Sequence, residues 1–485
     1  MGLFSFFKNR PTTETPPPLR FLNTLSGQLE VFSPLSVREV KMYNCGPTVY
    51  DRVTIGNLRS YIFADVLRRT LELWDYRVKQ VINITDVGHL VSDADEGEDK
   101  MEASAKKQQR SAQDIAREYT IAFFEDLDAL GIDRGTIEFP KATDYIGEQI
   151  ALVKALEEKG YAYKIKDGMY FDTARFAAYG KLGGIALSGL REGARVEKNT
   201  EKRGPHDFAL WKFSGRTKRQ QEWDSPWGKG FPGWHIECTA MIFKLLGRQI
   251  DIHTGGVDHI PVHHNNEIAQ AEAITGKRYV KYWLHNEFIT IEGKKISKSL
   301  GNTIYLSQLP ERGFPALALR YWYLSGHYRT PMNFTWEALE GASAALLKLN
   351  RHLFEDWAGA AAGTPEKQFM AAFREALADD LGTPQALARV WDMVKNDSIS
   401  PADKKASLLF ADKALGLGLS GTRSATKLTV LKADELPADV RTLVLERETA
   451  RTNKDFAKAD ELRGKIEQAG FEIKDTPEGP RISKK

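Results

Sequence analysis

The segment VKMYNCGPTVYDRVTIGN, residues 40–57, decides the fold. It begins with a predicted strand over Val40 to Cys45, which a Gly-Pro pair ends. From Asn57 to Trp74 apolar residues recur at helical spacing, and the β-branched run from Val78 to Ile84 predicts a second strand. A strand, a glycine-bearing turn, a helix and a strand form a βαβ unit, which builds a parallel sheet. We therefore predict an open α/β sheet whose ligand site lies at the carboxyl ends of its strands.

Later segments extend this pattern and then change it. Gln249 to Thr254 and Phe288 to Ile291 are predicted strands with helices between them. Beyond residue 335 the apolar residues fall at helical spacing, namely at Leu346, Leu349, Leu353, Phe354, Phe369, Phe373, Leu377, Leu387, Val390 and Trp391. This spacing predicts an α-helical bundle. A small final unit follows, with a helix that ends near Gly470 and a strand over Phe471 to Ile473.

Length and composition define the broad class of protein. The chain has 485 residues, and at about 150 residues per domain this length predicts roughly three domains. Hydrophobic residues make up 42% and charged residues 27%, which excludes a disordered chain, a collagen-like repeat and a coiled-coil rod. No apolar run approaches the ~18–20 residues that cross a bilayer. The net charge of +3 neither requires nor excludes a nucleic acid partner.

The cysteines and the first residues bear on the compartment. Cys45 and Cys238 are the only two cysteines and lie far apart in the chain, which excludes a disulfide framework and predicts a reducing compartment. In residues 1–20 a short apolar patch precedes basic residues and a proline run, the reverse of the order in a secretory signal. We expect a flexible, Pro-rich extension there.

Cys45 stands where the first predicted strand meets the Gly-Pro turn, at the ligand edge of the sheet. The helix that starts near Gly56 and Asn57 offers unpaired N–H groups and the positive end of its dipole, which suit phosphate. An ordinary connection and a small buried cysteine are the alternative interpretations of this segment.

His263 and Glu267 are four residues apart on a predicted helix and therefore share one face. With Cys45 and Cys238 they would form a sulfur, sulfur, nitrogen and oxygen set that zinc accepts. Spacing alone cannot bring four scattered residues together, and a solvated His–Glu pair on a surface helix remains the alternative.

The segment GKKISKSLGN, residues 293–302, has three lysines and two serines between glycines. Such a mobile loop can hold a polyphosphate, because lysines supply point charges and serines add donors. A solvated surface turn is the alternative interpretation.

Together and in this order, these segments resemble the cysteinyl-tRNA synthetases, which are class I aminoacyl-tRNA synthetases. Thr54 to Asn57 occupies the place of the HIGH signature, and Lys295 to Ser299 that of the KMSKS signature. The family's zinc ligands fall on Cys45, Cys238, His263 and Glu267. Further segments that are similar to the family are Asn83–Asp86, Asp207–Lys212, Ser325–Arg329 and Lys454–Asp460.

The resemblance implies a fold, a domain order and a reaction. It implies a Rossmann-like, parallel-sheet catalytic domain over residues 21–335, an α-helical bundle over 336–430 and a small mixed α/β anticodon-binding unit over 431–485. The implied reaction joins L-cysteine to tRNA(Cys) with ATP and Mg²⁺, one zinc per chain selecting the thiol. A cytoplasmic, monomeric enzyme that makes no membrane contact is expected.

The resemblance also assigns roles to single residues. Lys295 and Lys298 would stabilise the pyrophosphate side of the reaction. Gly56 and Asn57, together with Lys298, would bind ATP. Thr85 and Trp234 would line the cysteine pocket, ordinary packing being the alternative for Trp234.

Two features depart from the family pattern. The smaller one is the tail, which has Pro480-Arg481-Ile482 where the family often has an aromatic residue, and it bears on the details of anticodon contact. Thr54 replaces the first histidine of the HIGH signature, and its shorter, uncharged side chain predicts an altered rate of adenylate formation. Two other functions therefore remain open. One is a cysteine-activating ligase that acts on a non-tRNA amine, and the other is a non-catalytic paralogue that binds tRNA or cysteine.

Overall fold

The computed structural model describes residues 16–88, 100–184, 200–215, 219–297, 301–420, 436–453, 455–476 and 479–484. Residues 1–15 of the expected flexible extension lie outside these ranges, as does Lys298.

The described strands and helices follow in chain order. The strands are β1 (Arg20–Asn23), β2 (Gln28–Val31), β3 (Glu39–Asn44), β4 (Arg77–Ile82), β5 (Ile137–Glu138), β6 (Ala162–Ile165), β7 (Gly168–Phe171), β8 (Phe208–Phe213), β9 (Gly230–Pro232), β10 (Ile250–Gly256), β11 (Val280–Asn286), β12 (Ile289–Ile291), β13 (Lys294–Lys295), β14 (Met332–Phe334), β15 (Phe471–Thr476) and β16 (Gly479–Lys484). The α-helices are α1 (Ile55–Leu73), α2 (Lys100–Gln108), α3 (Ala112–Ala129), α4 (Ile146–Glu158), α5 (Trp234–Leu245), α6 (His263–Thr275), α7 (Gln308–Glu311), α8 (Ala316–Leu324), α9 (Trp336–Arg351), α10 (Lys367–Ala378), α11 (Thr383–Lys395), α12 (Pro401–Leu415), α13 (Ala438–Thr452) and α14 (Phe456–Gln468).

The central sheet has five parallel strands in the order β11-β10-β3-β4-β5. Helix α1 connects β3 to β4, so the predicted βαβ unit is confirmed. A four-stranded antiparallel sheet, β6-β7-β8-β9, is inserted after α4. Helix α5 leads into β10, and α6 connects β10 to β11, so α6 begins at the carboxyl end of β10.

The predicted strand at Phe288–Ile291 lies in a different sheet from the one expected. It is β12, which pairs with β13 and β14 in a separate three-stranded sheet. The strand that completes the parallel sheet is β11, which the sequence analysis did not identify. Its sequence, VKYWLHN, mixes charged, aromatic and polar residues, so it lacks the aliphatic run typical of a buried parallel strand.

The last third of the chain is helical, as predicted. Helices α9 to α12 share one apolar core with α1 and α8, to which Leu346, Phe373, Val390 and Leu408 contribute. In the final unit α13, α14, β15 and β16 surround a smaller core of their own, which includes Val440, Ile466 and Ile473. The predicted helix before Gly470 and the strand after it are confirmed, and β16 adds a partner strand.

Buried ion pairs fix α1 against the helical bundle. Asp65 on α1 is 1% exposed and binds Arg68, Arg69 and Arg320. Burial raises the pKa of the Asp65 carboxyl, but Arg320 and the other arginines outweigh it and hold that pKa below its ordinary value. Arg320 also donates to the carbonyl oxygens of Leu415 (2.7 Å) and Leu130 (3.1 Å). One guanidinium therefore joins α1, α8, α12 and the end of α3.

The family-like segment Ser325–Arg329 has a comparable structural role. The Asp380 carboxylate accepts from Tyr328 Oη (2.7 Å), Arg329 Nε (2.6 Å) and the backbone N–H of Leu22 (2.9 Å). This carboxylate links the loop after α8 to β1 and to the connection between α10 and α11.

Among the described helices, none combines the length and apolar character required to span a membrane.

We expect Arg320→Met to lower the free energy of unfolding by about 3–5 kcal/mol, because it removes one of the three arginines that pair with the buried Asp65 carboxylate and the donor to two carbonyl oxygens. Urea unfolding of the full chain, followed by intrinsic fluorescence, measures the change. The matched control is Arg389→Met, which removes an exposed pair with Asp392 and should cost at most ~1 kcal/mol. Equal losses in the two variants would contradict the role given to Arg320.

Candidate metal and nucleotide site

The carboxyl edge of the central sheet collects the candidate ligands. Cys45 follows β3 directly, while Cys238 lies on α5, and His263 and Glu267 lie on the first turns of α6. Two close approaches permit this assembly. A Cβ on Gly46 would lie 1.6 Å from the Asn83 carbonyl oxygen, and one on Gly233 would lie 2.0 Å from that of Ala209. Only glycine fits at these two positions.

The four predicted zinc ligands come together in the fold. The ligand atoms of Cys45, His263, His264 and Glu267 all lie within 4.8 Å of one another. The Cys238 Sγ lies 3.6 Å from His263 Nε2, beside this group. Hereafter the five side chains are called the donor cluster. His264, whose Nε2 is 3.3 Å from Cys45 Sγ, is a fifth possible ligand that the sequence analysis did not propose.

A second layer of side chains orients the donor cluster. His253 Nε2 lies 3.1 Å from Glu267 Oε2, and His285 Nε2 lies 2.7 Å from His264 Nδ1. The Tyr279 hydroxyl also donates to Glu267 Oε2, at 3.4 Å. Partners of this kind fix the rotamers and tautomers of metal ligands.

The cluster is chemically suited to zinc. It offers sulfur, imidazole nitrogen and carboxylate oxygen, the donor types that zinc binds. Glu267 Oε1 is buried without a hydrogen-bond partner, although His263 Nε2 is 3.0 Å away. These two atoms are close but are not aligned as donor and acceptor, as expected for atoms that face a shared cation.

The electrostatics of the cluster also favour a cation. The thiol of Cys45 donates to Cys238, and together with His263 it lowers the pKa of Cys238 to about 7 against the effect of burial. Burial raises the pKa of Glu267, but His253 and His263 outweigh it and lower that pKa to about 2. Burial lowers the pKa of His263, yet Cys238 and Glu267 raise it to about 10. A positive charge is therefore stabilised between a thiolate and a carboxylate.

The two predicted cysteine-pocket residues adjoin the donor cluster. The Trp234 ring stacks on His263 with centroids 4.4 Å apart. Thr85 accepts a hydrogen bond from Asn83 Nδ2 (2.9 Å) and donates to Glu237 Oε2 (3.0 Å). Asn83 Oδ1 in turn lies 4.0 Å from Cys238 Sγ.

The amino end of α1 forms the second part of the site. Thr54 is the N-cap, and its side chain and that of Asn57 cap each other's backbone N–H groups. The Thr54 hydroxyl also donates to Asn57 Oδ1, at 2.8 Å. Gly56 has Ile296 against it, since an added Cβ would lie 2.8 Å from Ile296 Cδ1.

The lysine-bearing hairpin β12–β13 is held beside this helix end. Arg59 on α1 donates to the carbonyl oxygens of Phe288 (2.9 Å) and Thr330 (2.7 Å). Lys295 is exposed on β13, and its carbonyl oxygen accepts from Asn302 Nδ2 (3.0 Å). Lys298, the other predicted phosphate-binding lysine, lies outside the described residues.

The sequence contained a signal for the additional histidines. Six of the ten histidines in the chain fall within residues 235–285, at His235, His253, His259, His263, His264 and His285. The ring contacts join all six into one group, in which His263 and His264 are the link. Such a concentration of a rare residue type could have indicated the second layer, although not which ring binds the metal.

Comparisons with known proteins agree with this arrangement. The family described as tRNA synthetases class I (C) catalytic domain matches residues 31–344, the DALR domain matches 372–406, and the cysteinyl-tRNA ligase anticodon binding domain matches 433–480. Cysteine–tRNA ligase 1 of Burkholderia lata is 48% identical over 467 residues, which cover 96% of this chain and 97% of that protein. Cysteine–tRNA ligase of Treponema denticola is 41% identical over 484 residues, 94% of this chain and 98% of that protein.

Solved structures support the fold. The Mycobacterium tuberculosis methionyl-tRNA synthetase in complex with methionyl-adenylate aligns with a TM-score of 0.55 at 15% identity, over 82% of this chain and 94% of that one. The Agrobacterium radiobacter LeuRS bound to tRNA aligns with a TM-score of 0.58 at 12% identity, over 81% and 86%. The predicted parallel-sheet catalytic region followed by a helical region is confirmed. The matched regions and the identities to full-length relatives show that the chain belongs to the cysteine–tRNA ligase family of class I aminoacyl-tRNA synthetases.

Proposed function

We propose that this chain catalyses the cysteine–tRNA ligase reaction in two steps. The carboxylate of L-cysteine attacks the α-phosphate of ATP, which forms cysteinyl-adenylate and releases pyrophosphate. The terminal ribose hydroxyl of tRNA(Cys) then attacks the carbonyl carbon, and AMP leaves. One observation carries this proposal. The donor cluster lies at the carboxyl edge of the central sheet, and the βαβ unit of that sheet presents the amino end of α1.

Cys45, Cys238, His263 and Glu267 would hold one zinc ion per chain. When bound there, zinc supplies a ligand position for the substrate sulfur and lowers its pKa, so that a thiolate binds at neutral pH and a serine hydroxyl does not. Apolar pockets separate near-isosteric side chains by only ~10²-fold. A sulfur-selective set of protein ligands therefore accounts for selectivity without an editing step.

The amino end of α1 and the lysine loop would bind ATP with its Mg²⁺. Gly56 allows the lysine hairpin to approach the helix end, where the first N–H groups suit phosphate. Thr54 and Asn57 fix the geometry of that end. Lys295 and Lys298 would stabilise charge on the leaving pyrophosphate. No protein nucleophile is required, so catalysis would rest on positioning and electrostatic stabilisation.

The carboxyl-terminal regions, residues 336–430 and 431–485, would bind tRNA(Cys) along the stem and at the anticodon. The match to an anticodon binding domain supports a tRNA acceptor over a small amine. Phosphate contacts of this kind weaken as salt rises. We also propose that the enzyme acts as a monomer in the cytoplasm.

The function is tested by charging a tRNA(Cys) transcript with labelled cysteine while excess serine competes. We expect cysteine charging that serine does not reduce, because serine lacks the sulfur. Cysteine-dependent ATP–pyrophosphate exchange without charging would point instead to a ligase that acts on a non-tRNA amine. Loss of both activities with tRNA still bound would indicate a non-catalytic paralogue.

The zinc site is tested by metal analysis of the purified chain, with one zinc per chain expected. Cys238→Ala should lose most of the zinc, because it removes the thiolate beside His263. His264→Gln should retain the zinc, since His264 is not one of the four ligands in this proposal. If Cys238→Ala keeps its zinc and His264→Gln loses it, His264 is the zinc ligand and Cys238 is not.

The role of Thr54 is tested with a pair of substitutions. Thr54→Ala should lower the ATP–pyrophosphate exchange rate about fivefold, the equivalent of ~1 kcal/mol for a lost N-cap. Thr54→Ser keeps the hydroxyl and should remain near the parent rate. An unchanged rate in Thr54→Ala would show that the capping contact does not position Asn57 for ATP.

A further inference from the structure

The hydrogen bonds between Gly46, Asn83, Thr85 and Glu237 have a fixed direction. The backbone N–H of Gly46 can only donate, and it lies 2.8 Å from Asn83 Oδ1. This contact identifies the oxygen of the Asn83 carboxamide and turns its NH₂ group towards Thr85 Oγ1, 2.9 Å away. Thr85 must therefore accept from Asn83, and its own proton goes to Glu237 Oε2, at 3.0 Å.

A threonine hydroxyl has one proton and two lone pairs. In Thr85 the proton is donated to Glu237 and one lone pair is taken by Asn83. The second lone pair of this oxygen can still accept a hydrogen bond. It can therefore bind an ammonium group but not a carboxylate. Glu237 adds negative charge behind it.

The position of this hydroxyl agrees with such a role. Trp234, Glu237 and Cys238 are spaced i, i+3 and i+4 on α5, so their side chains share one helix face. Trp234 stacks on His263, and Cys238 Sγ lies 4.0 Å from Asn83 Oδ1. Glu237 thus connects the Thr85 hydroxyl to the helix that also carries a thiol of the donor cluster. In L-cysteine the ammonium nitrogen and the sulfur are separated by only two carbon atoms.

We propose that Glu237 is a positioning residue, which with Asn83 fixes the Thr85 hydroxyl as the hydrogen-bond acceptor for the α-ammonium group of cysteine. The inference rests on the proposed function. It adds that amino-group recognition depends on Glu237, whereas thiol recognition depends on the donor cluster. The two parts of the substrate should therefore be separable by experiment.

The experiment compares two thiols by calorimetry on the zinc-loaded full chain. L-cysteine carries the ammonium group, and 3-mercaptopropionate is the same thiol acid without it. We expect Glu237→Gln to weaken L-cysteine binding about tenfold, as for a lost charge-assisted hydrogen bond. Binding of 3-mercaptopropionate and the zinc content should not change.

Thr85 variants test whether Glu237 acts through the hydroxyl. Thr85→Val should weaken L-cysteine binding in the same way, and Thr85→Ser should restore it. Adding Glu237→Gln to Thr85→Val should weaken binding no further, because the hydroxyl that Glu237 orients is already absent. The matched control is Asp412→Asn, a buried carboxylate in the helical bundle that accepts backbone N–H groups; it should not alter the ratio of the two affinities.

The opposite results overturn the inference. Unchanged L-cysteine binding in Glu237→Gln, equal weakening of both thiols, or additive losses in the double variant would each exclude the positioning role. If the parent chain binds 3-mercaptopropionate as tightly as L-cysteine, the ammonium group is not recognised there. If it binds neither thiol, the cysteine site of the proposed function is itself wrong.

Discussion

The arrangement of the site depends on the burial of charged and metal-binding donors at one point of the sheet edge. Glu267 and His264 are fully buried, and Cys238 and His263 are nearly so. Removing such groups from water costs several kcal/mol for each charge, so the surrounding structure has to compensate. His253 on β10 and His285 on β11 do so by contacting Glu267 and His264. The pairing of these two strands therefore sets the geometry of the donor cluster.

A second constraint joins the nucleotide end of the molecule to its helical bundle. Helix α1 carries the proposed ATP-binding residues at its amino end and Asp65 in its interior. Through Asp65, Arg320 connects this helix to α8 and α12. Arg59, also on α1, holds the lysine hairpin through backbone carbonyl groups. A displacement of α8 or α12 would therefore reach α1 through buried contacts.

The sequence predicted the features that depend on local pattern. The βαβ unit around residue 45, the helical last third and the final helix–strand unit each follow from periodicity and turn residues, and the structure confirms them. The strand β11 was missed because VKYWLHN lacks a regular pattern, and its place in the sheet comes from its parallel pairing with β10. His264 and Glu237 were missed for the same reason, since their partners lie more than 140 residues earlier in the chain. The donor types of four residues suggested the zinc ligand set, but only the family resemblance favoured it over the alternatives, because spacing cannot bring scattered residues together.

Two separate recognition elements explain how a small site could select one amino acid. The donor cluster would fix the sulfur of the substrate, and the oriented Thr85 hydroxyl would fix its ammonium group. With these two points held, the carboxylate can move only by rotation about the line that joins them. Attack on ATP requires that the carboxylate point towards the amino end of α1, where the capped helix and the lysine hairpin meet. An amino acid with an additional methylene group could satisfy the sulfur position or the ammonium position, but not both with the carboxylate in line. Selectivity for the length of the substrate side chain would then follow from the fixed positions of its two ends, without a pocket whose volume excludes longer side chains.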